Sequence, residues 1–256
     1  MKIAVCVKFV PSVSETRLDA GYNIVREGIP HILNIADESA LEAALQLRGN
    51  GSVTLITMGT LSCGEALRSL LSRGADSAVL LNDSAFVGSD TYATAGTLAA
   101  AITKLGGFDL ILCGRHTLDS ETGQVPPALA SLCGIPFITN VLKVSVTDSG
   151  LECHRLLETG TEKLHVSLPA VVSLCEYSYT LRLASISGIR KAKGSRINIM
   201  TRNDLNLDPE MCGLRGSPTR VRGAAANFSA LRAGIKSECL EGGTERLAKL
   251  IREAKR

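Results

Sequence analysis

Residues 108–136 read FDLILCGRHTLDSETGQVPPALASLCGIP, and this stretch decides the fold. An apolar run over residues 110–113 stops at Gly114, a mostly polar stretch follows, and a helix-like apolar pattern resumes at Ala128. The pattern predicts a buried strand, a loop and a helix, which is the repeating unit of a parallel α/β sheet.

The loop after this strand is the first candidate for a binding site. In a parallel sheet, ligands lie beyond the carboxyl ends of the strands, where the next helix offers unpaired N–H groups and its positive dipole end. We therefore expect a phosphate-bearing ligand at residues 122–125. The alternative is an ordinary βα loop in which Asp119 or Thr122 serves only as a helix cap.

Working outward, the same alternation of strand and helix fills the N-terminal side. Short β-branched runs are typical of buried strands, and apolar residues at helical spacing predict the intervening helices. Predicted strands cover residues 2–7, 53–58 and 78–81; predicted helices begin at residues 37, 62 and 90, the second with the S-x-x-E spacing of a capping box at Ser62 and the third with Asp90 as its cap. This order predicts a doubly wound, mostly parallel sheet.

Beyond Pro136 the apolar period becomes that of short strands. Residues 141–146, 151–156 and 163–168 predict a small antiparallel meander at the sheet edge, residues 169–174 a further strand of the main sheet, and residues 197–200 a last strand. Residues 181–193 show no clean period and predict a half-apolar, basic surface loop suited to a protein contact.

The C-terminal part reads differently from the rest. Residues 204–223 predict an extended arm, and residues 244–255 an amphipathic helix with Leu247, Leu250 and Ile251 on one face. We therefore expect an α/β nucleotide-binding domain over residues 1–200, and an arm and helix over residues 201–256 that pack on a partner subunit.

Composition and charge restrict the functional class. An apolar fraction of 45% with no long apolar run indicates a globular protein, and eight scattered cysteines without a C-x-x-C motif indicate reduced thiols and a cytoplasmic location. Residues 181–256 carry 16 Lys and Arg against 7 Asp and Glu. Such a basic region can bind nucleic acid, but its only aromatic residue is Phe228, so we expect an acidic protein partner and no nucleic acid.

Motifs for catalysis or metal binding are absent from the sequence. The four histidines lack metal-ligand spacing, and no H-E-x-x-H, G-x-S-x-G, P-loop or G-x-G-x-x-G motif occurs. His116 alone lies in the candidate loop, where we interpret it as structural or solvated. We expect neither a metal site nor a catalytic acid or base; if electrons move here, a cofactor carries the chemistry.

Several separate stretches, in order and spacing, resemble the β subunits of electron transfer flavoproteins. Those stretches are residues 1–11 (MKIAVCVKFVP), 33–34 with 37–38 and 43–45, 57–59 (TMG), 74–76 (GAD), 88–94 (GSDTYAT), 114–115 with 119–124, 168–172 (LPAVV), 188–193 (GIRKAK), 204–209 and 213–219 (GLRGSPT). The resemblance spans nearly the whole chain and is closer to the electron-bifurcating members.

This resemblance implies a heterodimer with an α subunit that carries the electron-transferring FAD. The β subunit would bind a second nucleotide, either a structural AMP or, in bifurcating members, a second FAD reduced by NADH. The family's nucleotide contacts carry over to Cys6, Lys8, Asn34, Met58, Gly59, Asp119, Thr122, Gly123, Gln124 and Val125.

The D-T-x-A-T element distinguishes the two nucleotides, if any stretch does. Asp90, Thr91 and Thr94 resemble the element of the two-FAD members, and a second helix start with two hydroxyls would suit a longer ligand. The sequence departs from the family pattern at Ile35-Ala36, at Ser120-Glu121 and at Pro126, which bears on the exact fit of the nucleotide.

Residues 181–193 resemble the family's docking loop for acyl-CoA dehydrogenases. Ile186 would be the apolar anchor, with Ile189, Arg190 and Lys191 around it, as in an interface with an apolar centre and a charged rim. The competing classes are a stand-alone nucleotide-binding regulatory protein of similar fold, and an adenylate-handling enzyme, which would normally need the missing phosphate-loop motif.

Overall fold

A nine-stranded sheet forms the centre of the computed structural model, which describes residues 1–11, 31–221 and 240–254. Its strands, together with the separate antiparallel pair β2 and β3, are β1 (Lys2–Cys6), β2 (Phe9–Pro11), β3 (His31–Leu33), β4 (Ser52–Met58), β5 (Ser77–Leu81), β6 (Leu110–Gly114), β7 (Phe137–Thr147), β8 (Gly150–Leu157), β9 (Gly160–Val166), β10 (Ala170–Leu174) and β11 (Asn198–Met200). The order across the sheet is β11-β5-β4-β1-β6-β10-β7-β8-β9.

All neighbouring strands from β11 to β7 pair in parallel, whereas β7, β8 and β9 pair antiparallel. The mostly parallel sheet with an antiparallel meander at its edge is therefore confirmed. The helices are α1 (Ile35–Leu47), α2 (Cys63–Ser72), α3 (Thr91–Lys104), α4 (Val125–Cys133), α5 (Ile186–Lys193) and α6 (Leu240–Ala254).

Alternate side chains of each central strand enter two separate cores. From β1, Ile3 and Val5 join a core with residues of α1, α2 and α5, whereas Ala4 and Cys6 join a core with residues of α3 and α4. Strands buried on both faces need apolar residues at every position, which is why they read as continuous apolar runs. Helices on both faces make the fold doubly wound, as predicted.

The path of the chain reverses at β1. The chain passes from β1 to its neighbour β4 and on to β5, then returns to β6 on the opposite side of β1. In doubly wound sheets this reversal opens a crevice beyond the carboxyl ends of the two strands. Here it lies after Cys6 of β1 and Gly114 of β6.

The capping box predicted at α2 is wrong. Ser62 precedes α2 but makes no side-chain cap hydrogen bond, because its hydroxyl pairs with the Thr60 hydroxyl at 2.7 Å. The alternative caps proposed for α4 are also wrong, since the residue at that position is Gln124, and it too makes no side-chain cap hydrogen bond.

The basic loop predicted over residues 181–193 is in part a helix, α5. Ser185 caps it, accepting the Gly188 N–H at 3.0 Å. Gly188 lies against α2, where any side chain would collide with the Ser72 carbonyl oxygen. Only Ala192 of this helix is buried, so there is no apolar stripe for a sequence pattern to detect.

The chain divides into two compact units, Met1–Arg220 and Val221–Arg256. Residues 201–220 belong to the first unit and include a short 3₁₀ helix, Pro209–Met211. In the second unit, α6 exposes Leu247, Leu250 and Ile251; Lys255, the predicted end of this helix, and residues 222–223 of the predicted arm lie outside the described residues. Packing of this unit on a partner stays a prediction. No helix among the described residues is long and apolar enough to cross a membrane.

Candidate functional site

The crevice between β1 and β6 is bounded by residues that the sequence placed in one site. Cys6 and Cys113 lie opposite each other in the parallel pairing of these strands, just before the strands end. The loops that leave these ends carry Lys8 and Asp119, so a crevice with polar walls forms at the point where the two chain directions diverge.

Asp37 forms the floor of this crevice. Its carboxylate accepts the Lys8 N–H at 2.7 Å, the Gly114 N–H at 3.0 Å and the Asn34 side-chain amide at 3.1 Å, which ties α1 to the ends of β1 and β6. Burial raises the pKa of Asp37 to about 7, although its hydrogen bonds and the Lys8 charge act in the opposite direction. A side chain at Gly114 would collide with this carboxylate, so only glycine fits there.

Asn34 shapes the loop that follows β6. The buried side chain of Asn34 donates to the His116 carbonyl at 2.8 Å and accepts the Leu118 N–H at 3.2 Å. The loop is thereby held against the start of α1. Asn34, predicted to contact the ligand, thus has at least a structural role in the same crevice.

Lys8 and Asp119, 111 residues apart in the chain, form an ion pair at 2.7 Å. The Asp119 side chain is only 6% exposed, while that of Lys8 is 34% exposed. Lys8 therefore compensates the charge of a nearly buried carboxylate and still reaches the solvent side of the crevice, where a phosphate would meet it.

Residues 121–124 are an irregular stretch that leads into α4 at Val125. Glu121 and Gly123 have left-handed backbone angles, with φ of 50° and 62°. Among the described residues, backbone hydrogen bonds of this loop stop at the Glu121 N–H and resume at the Ala128 N–H. Pro126 and Pro127, in the first turn of α4, carry no N–H, so any backbone donors to an anion here come from residues 122–125.

The start of α3 lies beside this stretch. Thr91 donates its hydroxyl proton to the Gln124 side-chain oxygen at 3.2 Å, so the D-T-x-A-T element and residues 122–125 border the same space. Asp90 caps α3 as predicted, accepting the N–H groups of Tyr92 and Ala93, each at 3.0 Å. Because these N–H groups are engaged, the Thr91 hydroxyl makes the polar contact of α3 with the stretch before α4.

Met58 and Gly59 stand at the end of β4, on the other side of β1. The Gly59 N–H donates to the Leu81 carbonyl at 3.1 Å, and the Gly59 carbonyl accepts from the Asn82 side chain at 2.8 Å. A side chain at Gly59 would press on the Cys63 sulfur. These two residues share the carboxyl edge of the sheet with Cys6 and Lys8.

The four predicted docking residues are on a different element, α5, which packs on α2. Ile186 is 75% exposed and Ile189 is 45% exposed, and Arg190 and Lys191 are exposed beside them. The segment before this helix is fixed to α1 by Arg182, which donates to both carboxylate oxygens of Glu42 at 3.0 and 2.8 Å. The exposed apolar residues are thus presented on an anchored helix.

Two features of this site were not predicted from the sequence: the role of Asp37 and the ion pair of Arg115 with Glu176. Arg115 donates to both carboxylate oxygens of Glu176, at 2.7 and 2.6 Å, linking the ends of β6 and β10. The His116 ring lies 3.8 Å from the same carboxylate. No local motif marks these pairs, because the partners are distant in sequence and meet only where strand ends lie side by side in the sheet.

The described residues include no cluster of His, Cys, Asp and Glu side chains that could hold a metal ion.

Residues 22–204 match the model of the electron transfer flavoprotein domain.

Individual relatives agree with this match. The chain is 40% identical to the caffeyl-CoA reductase-Etf complex subunit CarD of Acetobacterium woodii, over 86% of each chain. It is 41% identical to an electron transfer flavoprotein subunit beta of Thermoanaerobacterium thermosaccharolyticum, again over 86% of each. Protein FixA of Bradyrhizobium diazoefficiens is 40% identical over 85% of this chain and 80% of FixA.

Proposed function

Because the chain belongs to the electron transfer flavoprotein family, among its β subunits, we propose that it binds a nucleotide in the crevice beyond β1 and β6 and transfers electrons as a heterodimer with an α subunit. The observation that carries the proposal is the convergence of residues from four chain segments: Asp119 on Lys8, Gln124 on Thr91, and Asn34 on the loop after β6. These contacts support a proposed ligand space bordered by Lys8, Asn34, Thr91, Asp119 and Gln124.

The residues of this chain suit a phosphate group. Residues 122–125 offer backbone N–H groups around Gly123, whose φ is left-handed, and Lys8, paired with Asp119, carries a positive charge across the crevice. Asn34 and Asp37 keep the walls in place rather than reacting. We expect no proton transfer by side chains, because a flavin, when bound, supplies the redox chemistry.

The proposed nucleotide is FAD, which NADH would reduce and which would hand electrons to the flavin of the α subunit. Support comes from the second helix start: the Thr91 hydroxyl contacts Gln124, so the start of α3 borders residues 122–125, and Thr94 lies one turn further along the same helix. A dinucleotide needs this additional length, whereas a mononucleotide does not.

AMP is the second candidate, and one observation favours it. The Asp90 carboxylate already occupies the N–H groups of Tyr92 and Ala93 and brings a negative charge to the start of α3. A second phosphate there would meet that charge instead of free N–H groups. AMP needs only the single anion site at residues 122–125.

We further propose that α5 docks a dehydrogenase of the acyl-CoA type. Ile186 and Ile189 supply exposed apolar area, and Arg190 and Lys191 would face acidic residues of the partner. Cys6, Cys113, Cys133, Cys153, Cys175 and Cys212 are free thiols, which suits a reducing compartment, so the proposal includes a cytoplasmic location.

The test is the nucleotide content of the heterodimer after co-expression with its α subunit. Denaturing extraction and chromatography should recover two FAD per heterodimer. One FAD and one AMP would replace the FAD proposal with the AMP candidate. A chain that stays a monomer in the presence of the α subunit and holds no flavin would contradict the electron-transfer role and favour a stand-alone regulatory protein.

A further inference from the structure

Asp90 holds a second segment of the chain besides its own helix. One carboxylate oxygen, Oδ1, caps α3, while the other, Oδ2, accepts both the N–H and the hydroxyl proton of Thr219, at 2.9 and 2.7 Å. The Asp90 N–H donates to the Ser217 hydroxyl oxygen at 2.8 Å. A single residue thus joins α3 to a segment 129 positions away.

Residues 213–219, which we call the 213–219 segment, lie tightly against the loop before α3. A side chain at Gly213, where φ is +55°, would collide with the carbonyl oxygens of Ala85 and Val87, and one at Gly88, where φ is +76°, would collide with Leu214. Ser217 is 6% exposed and donates to the Gly213 carbonyl at 2.6 Å. The segment is therefore packed into the first unit, and in the chain it comes just before the second unit, which begins at Val221.

The residue after Asp90 borders the proposed crevice. The next residue, Thr91, donates to Gln124, which precedes α4 and belongs to the proposed phosphate site. Asp90 therefore lies between the crevice wall and the segment that leads to the second unit. Its carboxylate already accepts four donors, two on each oxygen, which leaves it better suited to positioning than to ligand contact.

We propose that Asp90 is a positioning residue that couples nucleotide binding to the order of the 213–219 segment. The proposal rests on the proposed function, since it assumes a nucleotide in the crevice. A ligand that fixes Thr91 and Gln124 fixes the start of α3, and with it the acceptor of Thr219. Coupling between two sites is reciprocal, so loss of the Thr219 contacts must weaken nucleotide binding.

The chemistry of Asp90 allows this link to be cut separately from the helix cap. In Asp90→Asn, the amide oxygen still caps α3, because asparagine caps helices as well as aspartate does. The amide nitrogen cannot accept the Thr219 N–H, so this side-chain bond to the segment is lost, whereas the bond from the Asp90 N–H to Ser217 remains. Thr219→Val removes one donor from the other end of the same link without touching α3.

Two control variants are provided by the chain itself. Asp204 accepts the N–H and hydroxyl proton of Thr201, both at 2.7 Å, which repeats the Asp90 geometry within one local turn. Thr103 on α3 donates its hydroxyl only to the Ala99 carbonyl of its own helix. Asp204→Asn and Thr103→Val therefore make the same chemical changes without the long-range link.

The experiment uses the purified heterodimer, stripped of its β-subunit nucleotide and titrated with FAD and with AMP. Hydrogen exchange of peptides that cover residues 213–221 is followed with and without saturating nucleotide. In the wild type, nucleotide should slow exchange about fivefold or more, the lower range of typical coupling. Asp90→Asn and Thr219→Val each remove part of the link, so both should reduce this protection and bind nucleotide about fivefold or more weakly, whereas the controls behave as wild type.

Two outcomes would overturn the inference, and they differ in what else they overturn. If the wild type binds nucleotide but Asp90→Asn and Thr219→Val keep both its affinity and its protection, the coupling is refuted and the proposed function stands. A wild-type heterodimer that binds neither FAD nor AMP refutes the proposed function and the coupling together.

Discussion

The Lys8 ammonium lies 2.7 Å from the Asp119 carboxylate and joins the end of β1 to the loop after β6. Because the Asp119 side chain is 6% exposed, its charge has lost most of its hydration and depends on protein partners. This pair closes the crevice on the side where the nucleotide is proposed to bind.

Replacing Lys8 with Gln should therefore lower both stability and nucleotide content. We expect a loss of about 1–3 kcal/mol in the free energy of unfolding, because a buried carboxylate loses a charged partner. Urea unfolding and nucleotide extraction measure the two effects. Lys163→Gln is the control, since Lys163 is 61% exposed in its pair with Glu152, and it should change neither quantity. Unchanged nucleotide content in Lys8→Gln would remove Lys8 from the site.

Asp37 should make stability depend on pH. Its pKa is raised to about 7 in the folded protein, against 3.8 for an ordinary aspartate. Between these two values the folded state keeps a proton that the unfolded state has released, so this group lowers stability as pH rises from about 4 to about 7. Asp37→Asn lacks the titration. Urea unfolding at pH 5 and pH 8 should show that the stability of the wild type relative to Asp37→Asn falls with pH; a difference independent of pH would contradict the assignment.

Gly114→Ala should displace Asp37 and so lower both stability and nucleotide content. The added methyl group would collide with the Asp37 carboxylate and with Ala36, and such overpacking costs about 1–3 kcal/mol. Nucleotide content should fall with it. Gly96→Ala is the matched control: no atom lies within 4 Å of the added methyl on α3, so the variant should gain up to about 1 kcal/mol of helix stability. Thermal unfolding of both variants decides.

Ile186→Ala should slow electron transfer with the partner dehydrogenase without affecting the fold. A side chain that is 75% exposed contributes little to folding, so unfolding should change by less than about 0.5 kcal/mol. Loss of an interface anchor typically costs at least 2 kcal/mol in binding, or about 30-fold in affinity. Stopped-flow reduction kinetics measure this, with Val146→Ala, on β7 and 53% exposed, as the control. Equal rates for the two variants would exclude α5 from docking.

Arg182→Met tests whether α5 needs its anchor. Burial alone would raise the pKa of Glu42, but the hydrogen bonds from Arg182 and Gln46 outweigh it and lower that pKa. Removing Arg182 leaves Glu42 nearly buried with one partner fewer, which should cost about 1–2 kcal/mol. Docking should slow while nucleotide content stays at the wild-type level. A loss of nucleotide in this variant would show that the effect spreads beyond the docking segment.

The sheet and most helices were predictable because their signals are local. Strands such as β1 and β6, which are buried on both faces, read as apolar runs, and Asp90 correctly predicted the N-cap of α3. The cap at Ser62 failed because a neighbouring hydroxyl, that of Thr60, competes for it. The helix α5 was missed since it buries only Ala192, and a pattern of one residue has no period.

Fewer residues of the candidate site than elements of the fold could be predicted from the sequence. The resemblance to the family placed Lys8 and Asp119 in one set, and the structure joins them directly. Asp37 looked like an ordinary first-turn acid, because its partners, Lys8 and Gly114, come to it only through the order of strands across the sheet. Pairings of this kind depend on topology, which one sequence encodes only indirectly.

The helix α1 has a consequence for exchanging parts between related proteins. Its first residues hold the crevice through Asp37, and only five residues later, about 7.5 Å along its axis, Glu42 holds the docking segment through Arg182. A chimera that grafts only residues 181–193 from a relative would separate Arg182 from the carboxylate that orients it. If α5 docks the partner as proposed, the transferable module is α1 together with residues 176–193, and exchanging it would also exchange residues that border the proposed nucleotide crevice.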